Sequence, residues 1–153
     1  MSDRLELYLA SEERTLALGA ALARLAVARD VIALHGGLGA GKTAMSRGFI
    51  RALCGQQTDV PSPTYTLVQT YEAPTFPIFH FDLYRIETPG ELTELGWDET
   101  EDGVTLVEWP SHAGSRLPDW RLDLTLTTEG DGRIAALEPR GEDWQTRLHG
   151  FRL

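Results

Sequence analysis

The chain has 153 residues, 42% of them hydrophobic, and its 23 acidic against 14 basic side chains give a formal net charge of −9. That length fits a single domain over 1–153, able to bury roughly 70% of its unfolded surface; with no bilayer-spanning apolar run and no charged-then-apolar leader before Ser11, the expectation is a cytoplasmic protein, neither membrane-inserted nor exported. The acidic balance argues against holding nucleic acid mainly through its phosphates, which takes a basic surface, and the single Cys54 rules out an internal disulfide or a cysteine-based metal site.

Ser11 followed by Glu12 and Glu13 has the form of a helix start, a capping hydroxyl ahead of carboxylates that favour the positive end of the macrodipole. Leu18, Leu22 and Leu25 recur at i, i+4 and i+7, which predicts a helix over 11–28 packed beside the strand that follows. Glu13 and Thr15 then have two readings, as neighbours of a nucleotide base or as parts of a surface cap. Val31-Ile32-Ala33-Leu34 is a short apolar run of strand type.

Gly36-Gly37-Leu38-Gly39-Ala40-Gly41-Lys42-Thr43 fills every fixed position of G-x-x-x-x-G-K-[ST], the phosphate cradle of nucleoside triphosphate sites. Its glycines let the backbone curl so that successive N–H groups converge on oxyanions. Lys42 suits the β- and γ-phosphates as a point charge, and the hydroxyl of Thr43 suits one Mg²⁺ coordination position. Met45, Phe49, Ala52 and Leu53 follow at helical spacing, so the order is strand, loop, helix, with the helix N-terminus under the phosphates.

Residues 56–59 form a loop, and the two prolines of Val60-Pro61-Ser62-Pro63-Thr64-Tyr65-Thr66-Leu67 forbid helix as the chain enters a strand. Thr64 and Thr66 either belong to a switch that senses Mg²⁺ and the γ-phosphate or merely start an edge strand. Phe79-His80-Phe81-Asp82-Leu83-Tyr84 alternates, which sets His80, Asp82 and Tyr84 on one face and Phe79, Phe81 and Leu83 on a core face. The polar face is either the wet side of an antiparallel strand or part of a phosphate and metal site, in which Asp82 is a second carboxylate. His80 has no second histidine at ligand spacing and reads as a hydrogen-bonded structural residue.

Pro89 to Gly96 reads as a short helix. Val104-Thr105-Leu106-Val107 is a second buried strand, and it delivers Glu108 to its end, where a carboxylate can stand beside Mg²⁺ through a water. Trp109 is either a packing residue or a ligand contact. Leu122, Leu124 and Leu126 alternate with polar residues before Gly130-Asp131-Gly132, a hairpin leading into Ile134-Ala135-Ala136-Leu137. Arg133, at the start of the return strand, touches phosphate or base or offsets nearby acids. Trp144 and Leu148 mark a last short helix. The expected fold is α/β, a P-loop NTPase-like three-layer arrangement whose mixed sheet has a parallel centre and antiparallel additions.

Four strings in one order, Gly36 to Thr43, Ser62 to Leu67, His80 to Arg85 and Val107-Glu108-Trp109, closely resemble the TsaE (YjeE) family over most of the chain. The resemblance implies a bacterial cytoplasmic ATPase of threonylcarbamoyladenosine formation on tRNA, binding ATP and Mg²⁺, working with the TsaB and TsaD proteins and meeting tRNA through that complex. It makes Lys42 the phosphate ligand, Thr43 the metal ligand and Glu108 the metal-side carboxylate, joined by Asp82. It also implies loop contacts from Leu38, Gly39, Ala40 and Gly41, a switch contact from Thr64, and nucleotide contacts from Glu13 and Arg133. The phosphate loop itself is shared with small-molecule kinases and with modules that use ATP only as a ligand.

Overall fold

The structure is a computed structural model that describes residues 4–153; Met1, Ser2 and Asp3, which open the stretch read for a leader, lie outside them. Strands β1 (Leu5–Leu9), β2 (Val31–His35), β3 (Val68–Glu72), β4 (Pro77–Asp82), β5 (Val104–Glu108), β6 (Arg121–Glu129) and β7 (Gly132–Arg140) form one sheet in the order β1-β7-β6-β2-β5-β4-β3. The pairs β2·β5, β2·β6 and β4·β5 are parallel, while β1·β7, β6·β7 and β3·β4 are antiparallel. The expected parallel centre with antiparallel additions is therefore present. Four of the five residues of β2 are buried and so are all five of β5, because each lies inside the sheet and is covered on both faces.

Helices α1 (Glu12–Leu25), α2 (Lys42–Cys54) and α4 (Glu142–Leu148) share one face, where Leu18, Leu22, Met45, Phe49, Trp144 and Leu148 join Ile32, Leu34 and Leu106. On the other face Leu92 of α3 (Glu91–Glu94), Trp97 and Ala113 cover Val31, Ala33, Phe81 and Val107. The closest helix contact is between α1 and α2, and two glycines permit it. A Cβ on Gly48 would stand 2.1 Å from the carbonyl oxygen of Leu16, and one on Gly19 the same distance from that of Met45.

Several boundaries differ from the sequence reading for identifiable reasons. Ser11 caps α1 as expected, its hydroxyl accepting from Arg14 N, but the helix ends at Leu25 rather than near 28. There Ala26 turns extended, and Val27 N donates to the Asp30 carboxylate at 2.8 Å. Arg147 of α4 grips the same carboxylate with both Nη atoms, at 2.7 and 2.9 Å, tying the last helix to the foot of β2. Strand β1 was not anticipated, although Leu5, Leu7 and Leu9 alternate; it forms one edge of the sheet against β7. No helix among the described residues is long and apolar enough to cross a membrane.

Candidate functional site

The phosphate loop joins the end of β2 to α2, and positive φ values at Gly36, Gly39 and Gly41 (143°, 76° and 106°) shape its curl. Helix α2 begins at Lys42, so the loop and the first turn of the helix, whose N–H groups lack helical partners, border one cavity of about 380 Å³. Leu38, Gly39, Ala40, Gly41, Lys42 and Thr43 line that cavity, and so do Thr64, Asp82, Glu108 and Trp109. The cavity thus gathers residues from four separate segments, while Glu13 and Arg133 of the expected set are not among its lining.

Parallel pairing explains how the two acids meet. Asp82 ends β4 and Glu108 ends β5, and they are register partners in the ladder. Both are buried, beside a buried Lys42. Lys42 Nζ donates to the carbonyl oxygens of Gly36 and Gly37, at 2.6 and 2.8 Å, and lies 4.2 Å from the centre of the Trp109 ring. Burial pushes its pKa down from the usual lysine value, while the charges of Glu108 and Asp82 act to raise it. Thr43 Oγ1 donates toward Glu108, 3.2 Å from each carboxylate oxygen. A hydroxyl and a carboxylate in contact are hard oxygen donors of the kind that hold Mg²⁺ together with phosphate and water. No group of three or more His, Cys, Asp or Glu among the described residues is placed to hold a metal ion.

Asp82 is held from two sides: Tyr84 N donates to Oδ1 at 2.9 Å and Thr64 Oγ1 to Oδ2 at 3.2 Å. Ser62 and Thr64 share a hydroxyl hydrogen bond of 2.8 Å, so the Ser-Pro-Thr string reaches the acid directly. Leu67, in the left-handed region at φ 70°, closes the string: its N–H donates to Pro63 O at 2.7 Å and its carbonyl accepts from Asp82 N at 2.9 Å. Thr66 instead accepts from Gln69 at an exposed position, and Thr64 is the residue turned to the cavity.

His80 and Asp82 do occupy one face of β4, but that face is not wet. His80 is fully buried, and its Nε2 lies 2.7 Å from Glu108 Oε2. Tyr84 lies beyond the strand and packs on Trp109 with ring centres 4.9 Å apart. Trp109 itself sits in the left-handed region at φ 58°, a conformation that turns its indole from the end of β5 onto Lys42. The sequence leaves its role open; the geometry makes it a wall of the cavity beside Lys42.

Two of the expected nucleotide contacts, Glu13 and Arg133, lie outside the lining of this cavity. A second cavity of about 260 Å³ adjoins the first, lined by Leu9, Ser11, Glu12, Thr15 and Arg133 among others. Glu12, not Glu13, faces both cavities, because one residue along a helix turns the side chain by about 100° and Glu13 points to solvent. Arg133 lines the second cavity but spends its guanidinium on the loop, Nε donating to Ala40 O at 3.0 Å and Nη2 to Gly39 O at 3.1 Å. It braces the cradle from β7 and does not stand free to meet a ligand.

Residues 9–135 match the family model described as Threonylcarbamoyl adenosine biosynthesis protein TsaE. A Rickettsia conorii protein named tRNA threonylcarbamoyladenosine biosynthesis protein TsaE is 46% identical over 100 residues, which are 65% of this chain and 57% of that protein. The match thus spans less than two thirds of that relative's length. A Bacillus subtilis protein of the same name is 40% identical over 121 residues, 78% of this chain and 75% of its own. The crystal structure of YdiB from Bacillus subtilis superposes with a TM-score of 0.82 at 29% identity, covering 98% of this chain and 95% of that one.

Proposed function

This chain belongs to the TsaE family, and from that premise we propose that it binds and hydrolyses ATP with Mg²⁺ as a component of threonylcarbamoyladenosine formation on tRNA, in the cytoplasm with the TsaB and TsaD proteins. The observation that carries the proposal is the contact of Thr43 with Glu108 at the mouth of a phosphate loop, with Lys42 and Asp82 at the same cavity. The net charge of −9 favours contact with tRNA through the partner proteins over direct contact.

In this reading the loop amides and the α2 N-terminus hold the phosphates, and Lys42 exchanges the carbonyls of Gly36 and Gly37 for phosphate oxygens. Thr43 and Glu108 would hold Mg²⁺, which would supply charge neutralisation on the phosphate oxygens. Asp82 orients the attacking water, its own position fixed by Thr64 and the Tyr84 amide. Catalysis here is positioning and electrostatics, worth several kcal/mol for a donor such as Lys42. Arg47 lines the 380 Å³ cavity with its guanidinium donating to Val60 O; a cation supplied by a partner would add to the charge facing the phosphates, and turnover alone is expected to be slow.

Single-turnover ATP hydrolysis, measured for the protein alone and with purified TsaB, TsaD and tRNA, tests the proposal. Partners should accelerate hydrolysis, and both Thr43→Ala and Glu108→Ala should abolish the gain. Hydrolysis indifferent to partners would refute the reading. ATP binding that controls partner association without any hydrolysis would favour a ligand-gated binding module, and phosphoryl transfer to a metabolite in preference to water would favour a kinase.

A further inference from the structure

Behind Glu108 lies a side chain that the metal and phosphate contacts leave unused. His80 is fully buried, and its Nδ1 has no hydrogen-bond partner among the described residues, whereas Nε2 stands 2.7 Å from Glu108 Oε2. That asymmetry fixes the tautomer. A proton on Nδ1 would bury an unpaired N–H and press a bare Nε2 lone pair against a carboxylate; a proton on Nε2 leaves only an unpaired acceptor, the smaller cost. Nε2–H therefore donates to Oε2 of Glu108.

The consequence for the carboxylate is geometric. Glu108 ends β5 with Oε2 anchored from below by the imidazole and with both oxygens approached by the Thr43 hydroxyl. His80 is fixed in turn by its place in β4, two residues before Asp82 and opposite Leu106 in the β4·β5 ladder. The two strands thus place the acid and its anchor independently of the loop. We propose that His80 is a positioning residue that presets the rotamer of Glu108, so that one oxygen is offered to Mg²⁺ beside Thr43. This proposal rests on the reading of the site as a Mg·ATP site.

Calorimetric titration with ATP, in Mg²⁺ and in EDTA, provides the test on the full chain. His80→Leu fills the space without a donor and should lose about tenfold of the Mg²⁺-dependent gain in ATP affinity, with affinity in EDTA unchanged. His80→Gln, which offers an amide N–H near the Nε2 position, should recover most of it. Equal losses in Mg²⁺ and in EDTA, or no loss in either, would overturn the role of His80. A wild-type protein whose ATP affinity ignores Mg²⁺ would instead overturn the reading of the site itself. A measurement free of variants completes the test: nitrogen-15 NMR of the nucleotide-free wild type should show His80 protonated on Nε2 with a slowly exchanging proton. Protonation on Nδ1 would refute the proposal.

Discussion

Lys42 and Trp109 face each other at the phosphate loop, with Nζ 4.2 Å from the centre of the indole ring while its hydrogens go to the Gly36 and Gly37 carbonyls. Phosphate must draw the ammonium away from both, changing the surroundings of the indole. ATP should therefore alter the intrinsic fluorescence, and Trp109→Phe should remove most of that change although Trp97, Trp120 and Trp144 remain. A response that persists in the variant would show that the lysine does not leave the ring.

Arg133 donates to two consecutive loop carbonyls from the far side of the hairpin. Its removal leaves the fold's core untouched but frees the loop backbone. Arg133→Ala should weaken ATP binding about tenfold, equivalent to roughly 1.4 kcal/mol, and shift the thermal midpoint little. Isothermal titration and differential scanning calorimetry separate the two effects; a large drop in midpoint with unchanged affinity would contradict the bracing role.

Backbone contact between α1 and α2 makes Gly48 far less replaceable than its neighbours in composition. Gly48→Ala places a Cβ 2.1 Å from Leu16 O and should cost about 3 kcal/mol, at the upper end for overpacking. In Gly37 a Cβ would meet nothing within 4 Å, so Gly37→Ala should stay within about 0.5 kcal/mol of the parent. Urea unfolding of the pair checks both.

Asp123 gathers His35 Nε2 at 2.9 Å, Arg121 Nε at 2.9 Å and Arg140 Nε at 2.8 Å. Burial alone would raise its pKa, but the hydrogen bonds from those three residues outweigh it and hold the carboxyl well below the usual 3.8. A carboxyl with a lower pKa in the folded than in the unfolded chain contributes stability that is complete above about pH 4 and drains away as pH falls toward the folded value. Asp123→Asn should lose about 3 kcal/mol at neutral pH and much less near pH 2. Unfolding curves across that range check this; a deficit that stays constant with pH would exclude the linkage.

The parts of the fold carried by contiguous pattern are legible in the sequence. The two apolar runs at β2 and β5, the glycine bend and the hairpin from Leu122 to Leu137 each follow from local chemistry, and each is where it was expected. What escaped was set by neighbours distant in sequence. The alternation at Leu5, Leu7 and Leu9 spans one short strand that pairs with β7, more than a hundred residues away. At β4, alternation separated polar from apolar residues correctly, yet it could not tell solvent from a buried carboxylate as the partner of His80. Asp82 and Glu108 end neighbouring parallel strands and Thr43 opens α2, so residue type and element end were enough to bring the three to one cavity. Choosing Glu12 over Glu13 required the helix phase, and the bracing role of Arg133 required knowing that β7 stands beside the loop.

The closed bend that ends at Leu67 limits how the Ser-Pro-Thr string can respond to a ligand. With its last residue bonded back to Pro63 and forward to Asp82, the segment resembles a staple more than a flap. A tug on the Thr64 hydroxyl is delivered to the backbone of the very acid that hydroxyl touches. Sensing and aiming are thus mechanically one motion, and any insertion between residues 63 and 67 would uncouple them.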